Sequence, residues 1–188
     1  MNHLLLVKHS LPEIVPAIPA SQWKLSAAGQ SRCEPLAERI APYLPDVVIS
    51  SSEPKAVETA QIVAGKIDKP FRTFEGLHEH DRAGVGFMDR KEFESKVLDF
   101  FKYPDRLVLG RETAGQAYQR FSKALLSVEA EYPDKNLAVV SHGTVMTLFI
   151  EKMVGLEPFS FWKRLDCPAL VVLSLPDHGL ITTFEHVG

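Results

Sequence analysis

The stretch HLLLVKHSLPE, residues 3–13, predicts a buried strand that ends in titratable side chains. Its apolar run from Leu4 to Val7 has no polar interruption, which is typical of a parallel strand covered by helices on both faces. Lys8 and His9 follow directly, before a turn marked by Pro12. Because ligands bind at the carboxyl ends of strands in open α/β sheets, Lys8 and His9 are candidates for a functional site.

Further strand and helix patterns alternate along the chain. The other strand candidates are DVVIS (46–50), NLAVVS (136–141), ALVVLSL (169–175), ITTFEH (181–186) and, more weakly, PFRTF (70–74). Apolar residues at helical spacing lie between them, at 26–44, 54–67, 114–132 and 144–154. This order predicts an α/β three-layer sandwich, with a mostly parallel central sheet of about five to six strands and helices on both faces.

Proline, serine and glycine residues predict local features of these helices. Pro35 should kink or restart the helix at 26–44, because proline lacks the N–H of the helical hydrogen bond. Serines 50–52 should cap the helix that Pro54 opens, and we expect Ser50 and Ser51 to serve there rather than at a ligand. Gly155 should end the helix at 144–154.

The length of 188 residues, 45% of them hydrophobic, suits a single domain spanning residues 1–188. Residues 76–111 interrupt the pattern with aromatic residues and charges of both signs, so we predict an inserted, lid-like segment there. Its Arg82, Arg90 and Arg111 are candidates for contacts with substrate beyond a phosphate, although packing and a solvated surface explain them equally well.

Charge and cysteine content exclude several classes of protein. A net charge of -3 gives no reason to expect a nucleic acid or a membrane surface as partner. The two cysteines, Cys33 and Cys167, are far apart and are predicted to be free thiols. Leu4–Val7 is too short for a signal-peptide core, and no apolar run reaches about 18 residues, so we predict a soluble, cytoplasmic protein. The sequence leaves the oligomeric state open.

Chemically useful residues follow four predicted elements, in the stretches LVKHS (6–10), VISSSEPK (48–55), GLHEHD (76–81) and AVVSHGT (138–144). Two histidines, two lysines and a helix N-terminus at one sheet edge predict a positive, donor-rich pocket for a phosphoryl group. One imidazole could attack phosphorus while the other stabilises the transferring group. A nearby carboxylic acid would protonate the leaving oxygen.

These motifs resemble those of the histidine phosphatase superfamily, the phosphoglycerate mutase-like proteins. LLLVKHS resembles the superfamily's apolar strand followed by Arg-His-Gly, and SSSEPKAVETA its Ser-Ser-Pro-Leu-x-Arg-Ala-x-Gln/Glu-Thr-Ala stretch. LHE (77–79) resembles Leu-x-Glu, and VVSHG (139–143) the second-histidine motif. LSAAGQ (25–30) and LDCPALVVLSL (165–175) are further matches. The four main motifs occur in the superfamily's order across nearly the whole chain.

The resemblance implies a phosphoglycerate mutase-like fold and three catalytic roles. His9 would be the nucleophile that carries the phosphoryl group as phosphohistidine until water releases it. His142 would bond the phosphoryl oxygens and stabilise the transition state. Glu79 would be the general acid and then the base for water, so it must hold a proton near neutral pH. The residues implied in phosphate binding are Lys8, Ser10, Lys55 and Gly143, and no metal or organic cofactor is expected.

The departures from the motifs are informative. Lys8 and Lys55 stand where the superfamily carries arginine, and lysine keeps the charge but loses the planar fork that grips two phosphate oxygens. Ser10 stands where the superfamily has glycine, and its hydroxyl adds a donor. Leu11-Pro12 and Val15 replace polar residues that are typical of mutases, so a phosphatase is the better interpretation than a mutase.

The leading hypothesis is therefore a metal-independent phosphomonoester hydrolase acting on a small phosphorylated substrate or a phosphoprotein. The alternative is a phosphate- or phosphoester-binding module with little or no turnover, because of the two lysines. A metal-dependent hydrolase centred on residues 78–81 is a third hypothesis, since imidazole and carboxylate groups are metal ligands. Adjacent residues of an extended segment point to opposite sides, which disfavours a metal there and leaves His78 and His80 as expected solvated loop side chains.

Overall fold

A six-stranded sheet forms the centre of the computed structural model, which describes residues 2–188. Its strands are β1 (Asn2–Lys8), β2 (Val47–Ser50), β3 (Phe71–Thr73), β4 (Leu137–Ser141), β5 (Ala169–Leu175) and β6 (Leu180–Phe184). They lie in the order β3-β2-β4-β1-β5-β6. The pairs β1–β4, β2–β4 and β2–β3 are parallel, whereas β5 pairs antiparallel with both β1 and β6. All six strand predictions are confirmed to within about two residues.

Within residues 2–188 the chain forms six α-helices. They are α1 (Ala27–Ile40), α2 (Pro54–Ile67), α3 (Arg90–Lys102), α4 (Ala114–Glu131), α5 (Gly143–Val154) and α6 (Pro158–Arg164), with short 3-10 turns at Ala20–Gln22 and Ala41–Tyr43. The predicted α/β architecture with a mostly parallel sheet and helices is confirmed.

The core has two halves, one on each face of the sheet. Leu4 and Leu6 of β1 belong to a cluster that includes residues of α4, α5 and α6. Leu5 and Val7 belong to a second cluster with residues of α1 and α2. Because successive residues of a strand point to opposite faces, the uninterrupted apolar run of β1 is the direct consequence of burial on both sides.

Two helices were not predicted from the sequence, α3 and α6. In α3 only Val97 and Phe100 are buried, so its apolar residues give too narrow a stripe to stand out among the charges. Asp89 caps this helix by accepting a hydrogen bond of 2.9 Å from the N–H of Glu92. The helix α6 has seven residues, which is too short for a periodic pattern.

Two local predictions are confirmed, the end of α5 at Gly155 and the opening of α2 at Pro54, and a kink at Pro35 stays a prediction. Gly155 ends α5 in a left-handed conformation, with φ of 75°. Pro35, however, neither restarts nor divides α1, which continues as one helix through it from Ala27 to Ile40. Glu53 occupies the N-cap position of α2 and its side chain makes no capping hydrogen bond, so the predicted serine cap is wrong.

Residues 76–111 are tied together at their two ends. The buried His80 stacks on Phe100 with ring centroids 4.1 Å apart, and its Nε2 lies 2.6 Å from the carbonyl oxygen of Leu109. The N–H of Arg111 donates to the carbonyl of Asp81 at 2.8 Å. The neighbouring Gly110 has φ of +77°, and a Cβ there would lie 1.9 Å from the same carbonyl oxygen, so only glycine fits. A lid-like role for this segment stays a prediction.

Both cysteines are free thiols, as predicted. Cys33 is buried in α1, where burial raises the pKa of its thiol to about 11. Cys33 is therefore neutral at physiological pH and packs as a small apolar side chain. Within residues 2–188, no helix has both the length and the apolar character needed to cross a membrane.

Candidate active site

The sheet register brings three chain segments to one point. Lys8 of β1 pairs with Ser141 of β4, and Ser50 of β2 pairs with Val140 of β4. The ladders extend by one bond each, because the N–H of His9 donates to Ser141 and the N–H of Ser51 donates to Val140, both at 3.0 Å. The residues that follow β1, β2 and β4 therefore meet at the carboxyl edge of the sheet, where ligands bind in this class of fold.

His9 is held in one orientation by its own turn. It is buried, and its Nδ1 lies 2.8 Å from the carbonyl oxygen of Ser10. Because a carbonyl oxygen can only accept a hydrogen bond, Nδ1 carries the ring proton and Nε2 of the neutral ring carries the lone pair. The ring contacts that of His142 edge to face, with centroids 5.1 Å apart. His9 thus has the tautomer that a nucleophile requires.

His142 is completely buried beside His9. Its Nε2 lies 2.8 Å from Oγ of Ser51 and 3.7 Å from Oε1 of Glu53. Within residues 2–188 its Nδ1 has no hydrogen-bond partner, although the atom is buried. A buried polar atom without a partner is costly, and such an atom in a site is available to a ligand.

Both imidazoles are neutral near pH 7. Burial is the largest cause that lowers the pKa of His9 well below its usual value, and the neighbouring His142 and Lys55 lower it further. Burial likewise lowers the pKa of His142, followed by the positive charge of Lys55. A neutral His9 needs no deprotonation before it attacks an electrophile.

Glu79 is bound to the N-terminus of α5. Its carboxylate oxygens accept hydrogen bonds from the N–H groups of Thr144 and Val145, both at 3.2 Å, and from that of His80 at 2.9 Å. The positive end of the helix dipole favours a carboxylate at this point. Glu79 therefore lies beside His142, as the resemblance implies, and is held there by backbone donors.

The protonation state of Glu79 differs from the sequence-based expectation. Burial raises the pKa of its carboxyl group, but the Arg82 guanidinium, His142 and the N–H groups of His80 and Thr144 outweigh burial and hold the pKa at about 2. The carboxyl group of Glu79 is therefore ionised near neutral pH in this structure, and its role as the general acid stays a prediction. The sequence did not reveal the helix N-terminus that faces this carboxylate.

Lys55 is buried at the start of α2 and is neutralised by the protein itself. Its Nζ donates to the carbonyl oxygen of Ala20 at 2.7 Å and to the carboxylate of Glu53. The other Glu53 oxygen accepts the N–H of Glu79 at 2.9 Å. Sequence reasoning missed Glu53; the available signal was an acidic residue at a position to which the resemblance assigns leucine.

Lys8 and Gly143 pack against each other. The ammonium group of Lys8 donates to the carbonyl oxygen of Leu165 at 2.6 Å. A Cβ at Gly143 would lie 3.2 Å from Cε of Lys8 and 3.5 Å from Nε1 of Trp162. Gly143 thus provides the space through which the Lys8 side chain passes, and the Lys8 ammonium is already bound to the backbone.

Ser10 is placed at the site, but its donors are not free. The residue is fully buried, its N–H donates to Oγ1 of Thr59 at 3.0 Å, and its hydroxyl donates to the carbonyl of Gly29 at 2.7 Å. The N–H of Lys55 in the first turn of α2 is also taken, by the carbonyl of Trp23 at 3.1 Å. Ser10 consequently shapes the turn after His9, and these donors cannot bind phosphate without rearrangement.

Ser51 proves to be a site residue, contrary to the capping prediction. Its hydroxyl contacts Nε2 of His142 and accepts the N–H of Glu53 at 3.2 Å. Ser50 bonds the carbonyl oxygen of Ser51 at 2.7 Å. The two serines therefore orient the turn that presents Ser51 and Glu53 to His142.

The side chains of residues 78–81 have different surroundings in the structure. His80 is buried against Phe100 and Leu109, so the expectation of a solvated side chain is wrong for it, and His78 is half-buried. In the part of the chain that the structure describes, no group of three or more His, Cys, Asp or Glu side chains is arranged to hold a metal ion.

Arg120 of α4 supports the segment that carries Glu79. Its guanidinium donates to the carbonyl oxygens of Gly76, His78 and Glu79 and pairs with the carboxylate of Glu112. Sequence reasoning missed this residue, because nothing in a helical arginine signals that it binds a distant backbone. Arg120 fixes the path of residues 76–79 and thereby the position of Glu79.

Of the three arginines named from the sequence as candidates for substrate contacts, Arg82 lies at the site and the other two do not. Its guanidinium is 4.0 Å from Oε2 of Glu79 and stacks over the ring of Phe93, 4.9 Å from the centroid. Arg90 is exposed and pairs with Glu94 in the next turn of α3. The exposed Arg111 contributes its backbone N–H to the base of the segment.

The fold and this pair of histidines define a class of protein that comparison with known families identifies. The model of the histidine phosphatase superfamily (branch 1) matches residues 18–183, and the chain belongs to that superfamily. The matched span includes Lys55, Glu79 and His142, whereas His9 precedes it.

The individual proteins that resemble this chain have low sequence identity to it. The uncharacterized phosphatase PhoE of Bacillus subtilis (strain 168) is 23% identical over 134 residues, which cover 71% of this chain and 66% of that protein. A mutant phosphoserine phosphatase from Entamoeba histolytica, solved with phosphoserine, superimposes with a TM-score of 0.78 at 20% identity, covering 98% of this chain and 97% of that one. Bacillus stearothermophilus YhfR gives 0.77 at 18% identity, covering 100% and 96%. These structures share the fold.

Proposed function

We propose that this protein is a metal-independent phosphomonoester hydrolase that transfers the phosphoryl group to His9. The observation that carries the proposal is the orientation of His9, whose Nδ1 is bonded to the Ser10 carbonyl so that Nε2 holds the lone pair. The neutral His142 lies beside it with an unpartnered buried nitrogen. Membership of the histidine phosphatase superfamily and the phosphatase names of its relatives support phosphoester hydrolysis.

The reaction would proceed in two displacements at phosphorus. In the first, Nε2 of His9 bonds to phosphorus while the ester P–O bond breaks, and Glu79 gives a proton to the leaving oxygen. In the second, Glu79 takes a proton from water, whose oxygen attacks phosphorus and frees His9. Hydrogen bonds from His142 would stabilise the negative oxygens in both transition states.

Glu79 must gain a proton before the first step, although its pKa is about 2 in this structure. A phosphoryl dianion beside the carboxylate would raise that pKa, because like charges disfavour ionisation. Substrate binding would in this way create the acid that the reaction needs. The dianion would also raise the pKa of His142, because an opposite charge favours the protonated imidazole, and that proton would bond to a phosphoryl oxygen.

Small phosphorylated molecules and phosphoproteins are both candidate substrates. The solved structures with this fold include a phosphoserine phosphatase and a mycobacterial glucosyl-3-phosphoglycerate phosphatase, the latter at 15% identity and a TM-score of 0.72 over 91% of this chain and 89% of that one. Such identities convey the fold, so the substrate is to be found by a hydrolysis panel of phosphomonoesters that includes phosphopeptides.

The test of the mechanism is to trap the phosphoenzyme. The protein is mixed with p-nitrophenyl phosphate and with the panel, quenched in alkaline denaturant, and analysed for acid-labile phosphate on His9. We expect acid-labile phosphate on the wild-type protein and on an exposed-histidine control, His186→Ala, but none on His9→Ala. Turnover should be unchanged in EDTA. Acid-labile phosphate that persists on His9→Ala, or loss of activity in EDTA, would overturn the mechanism.

A second function, phosphate or phosphoester binding with little turnover, is favoured by one observation. The ammonium groups of Lys8 and Lys55 already donate to protein acceptors, and the charge of Lys55 is paired with Glu53, which reduces what the two lysines offer to a transition state. This alternative predicts measurable binding of inorganic phosphate, no phosphohistidine, and no hydrolysis across the panel.

A further inference from the structure

A phosphoryl dianion entering the candidate site would meet two lysines that already donate to protein acceptors. Lys8 donates to the carbonyl of Leu165, and Lys55 donates to Ala20 and to Glu53. Both buried carboxylates of the site, Glu53 and Glu79, would repel the anion. A further cation whose side-chain donors are all free would therefore strengthen phosphate binding in this pocket.

Arg82 is such a cation. Within residues 2–188 its side chain makes no hydrogen bond, and its guanidinium is 4.0 Å from the carboxylate of Glu79, beyond hydrogen-bonding distance. The guanidinium carries five N–H donors in its own plane. Because the Phe93 side chain has no oxygen or nitrogen acceptor, its contact with the guanidinium at 4.9 Å leaves those donors available.

The surroundings hold Arg82 in place. Phe93 contacts Trp162 edge to face, with centroids 5.9 Å apart, so the ring beneath the guanidinium is itself packed between α3 and α6. The carbonyl of Arg82 accepts the N–H of Val85 at 3.1 Å, and the preceding Asp81 is bonded to Arg111. Little side-chain entropy is then lost when a ligand binds, which favours affinity.

We propose that Arg82 binds the phosphoryl group of the substrate and supplies the planar, two-pronged contact that Lys8 and Lys55 cannot make. The proposal deepens the proposed function and rests on it for the identity of the ligand. It uses a residue three positions after Glu79, in the inserted segment, so the segment would contribute to phosphate binding as well as to contacts with the rest of the substrate. Arg82 is near the catalytic groups, and its charge accordingly lowers the pKa of both Glu79 and His142.

The experiment measures binding of inorganic phosphate by titration calorimetry to the wild-type protein, Arg82→Gln, Arg82→Lys and Arg90→Gln. Arg90→Gln removes the same charge from an exposed position of α3 and is the matched control. We expect the Kd to rise roughly ten- to a hundredfold in Arg82→Gln and by less in Arg82→Lys, since lysine keeps the charge without the fork. Arg90→Gln should stay within about twofold of the wild type.

The outcomes separate this inference from the proposed function. An Arg82→Gln protein that binds phosphate as the control does would overturn the inference, and so would a wild-type protein that binds no phosphate. If only the KM of an ester bearing a second acidic group rises, Arg82 binds another part of the substrate and the inference is again wrong. Weakened phosphate binding without any phosphohistidine would uphold Arg82 and contradict hydrolysis. If Arg82→Gln does not fold, the Kd of Arg82→Lys for phosphate tests the inference instead.

Discussion

Lys55 and Glu53 form a buried ion pair directly beside His142. A buried charge left without its partner is strongly destabilising, so the two residues are a unit. The pair also connects the site, since Glu53 accepts the backbone N–H of Glu79 through its second oxygen. A lysine at this position is therefore fitted to a pocket that holds an extra carboxylate, rather than being a weak substitute for arginine.

Lys55→Arg should accordingly not raise turnover. The larger guanidinium has to enter a packed site, which costs about 1–3 kcal/mol of unfolding free energy. Glu53→Leu should destabilise by roughly 3–5 kcal/mol, because it leaves the ammonium uncompensated. The double variant should lose less unfolding free energy than the sum of the two single losses, with a coupling free energy of about 1 kcal/mol or more.

Urea unfolding and kcat/KM, measured for all four members of this cycle, check that expectation. Additive effects would show that the residues do not act together. A large rise in turnover with Lys55→Arg alone would show instead that lysine is a poor replacement at this position.

Glu79→Gln should slow the hydrolysis of an alkyl phosphate by roughly a hundred- to ten-thousandfold, the usual contribution of a general acid. The loss should be much smaller with p-nitrophenyl phosphate, because p-nitrophenolate leaves without a proton. The ratio of kcat/KM for the two substrates is the measurement, because kcat/KM reports the first step, whereas the second step, in which Glu79 is the base, is common to both substrates. Glu58→Gln is the control, since Glu58 also accepts a backbone N–H, from Leu25, outside the site. An equal loss with both substrates would remove Glu79 from the acid role.

The features predicted from the sequence are those that follow from chain order. Parallel strands end at the same edge of a sheet, so motifs placed after β1, β2 and β4 had to converge, and His9 and His142 do. The ionisation of Glu79 and the burial of Glu53 could not be predicted in this way, because each depends on which backbone donors and side chains surround a carboxylate in three dimensions.

The helix α3 was missed for a related reason. Its burial depends on two residues, Val97 and Phe100, that pack against a neighbouring surface, and its remaining positions are mostly charged or exposed. Arg82 could be named from the sequence only as one of three equivalent arginines. The stack on Phe93 and the distance to Glu79 distinguish it, and both require the path of residues 76–111.

Gly29→Ala should destabilise the protein and impair catalysis together. A Cβ at Gly29 would lie 2.0 Å from the carbonyl oxygen of Leu11, which also accepts hydrogen bonds from Ser26. The backbone must move, and the turn after His9 moves with it, at a cost of about 2 kcal/mol or more. Thermal unfolding and kcat are the measurements.

Gly65→Ala provides the matched control for that substitution. Gly65 lies within α2, and a Cβ there meets nothing within 4 Å. Alanine should stabilise the helix by up to about 1 kcal/mol and leave turnover unchanged. If both glycine variants behave alike, the close approach of Gly29 to Leu11 does not constrain the site.

Acid should destabilise the protein already below pH 6.5, well before its carboxylates titrate. The pKa values of His9, His142 and His80 are lowered, in each case chiefly by burial, so these rings stay neutral in the folded state while they become protonated in the unfolded chain. The unfolded state then binds more protons, and stability falls with pH by up to about 1.4 kcal/mol per unit for each ring. The stability contributed by Glu79 also falls with pH, but over a lower pH range. Its contribution is complete above pH 4.5 and is lost as the pH falls towards its pKa of about 2.

The interval between about pH 6.5 and 4.5 therefore reports on the histidines alone. Urea unfolding across that interval should give a decreasing free energy of unfolding for the wild-type protein and a shallower decrease for His142→Gln, since one neutral buried imidazole has been removed. His186→Gln changes a ring that is 74% exposed and is the control variant. A wild-type free energy that is constant over this interval would mean that the buried imidazoles accept protons in the folded state, and the neutral nucleophile that the mechanism requires would be lost with it.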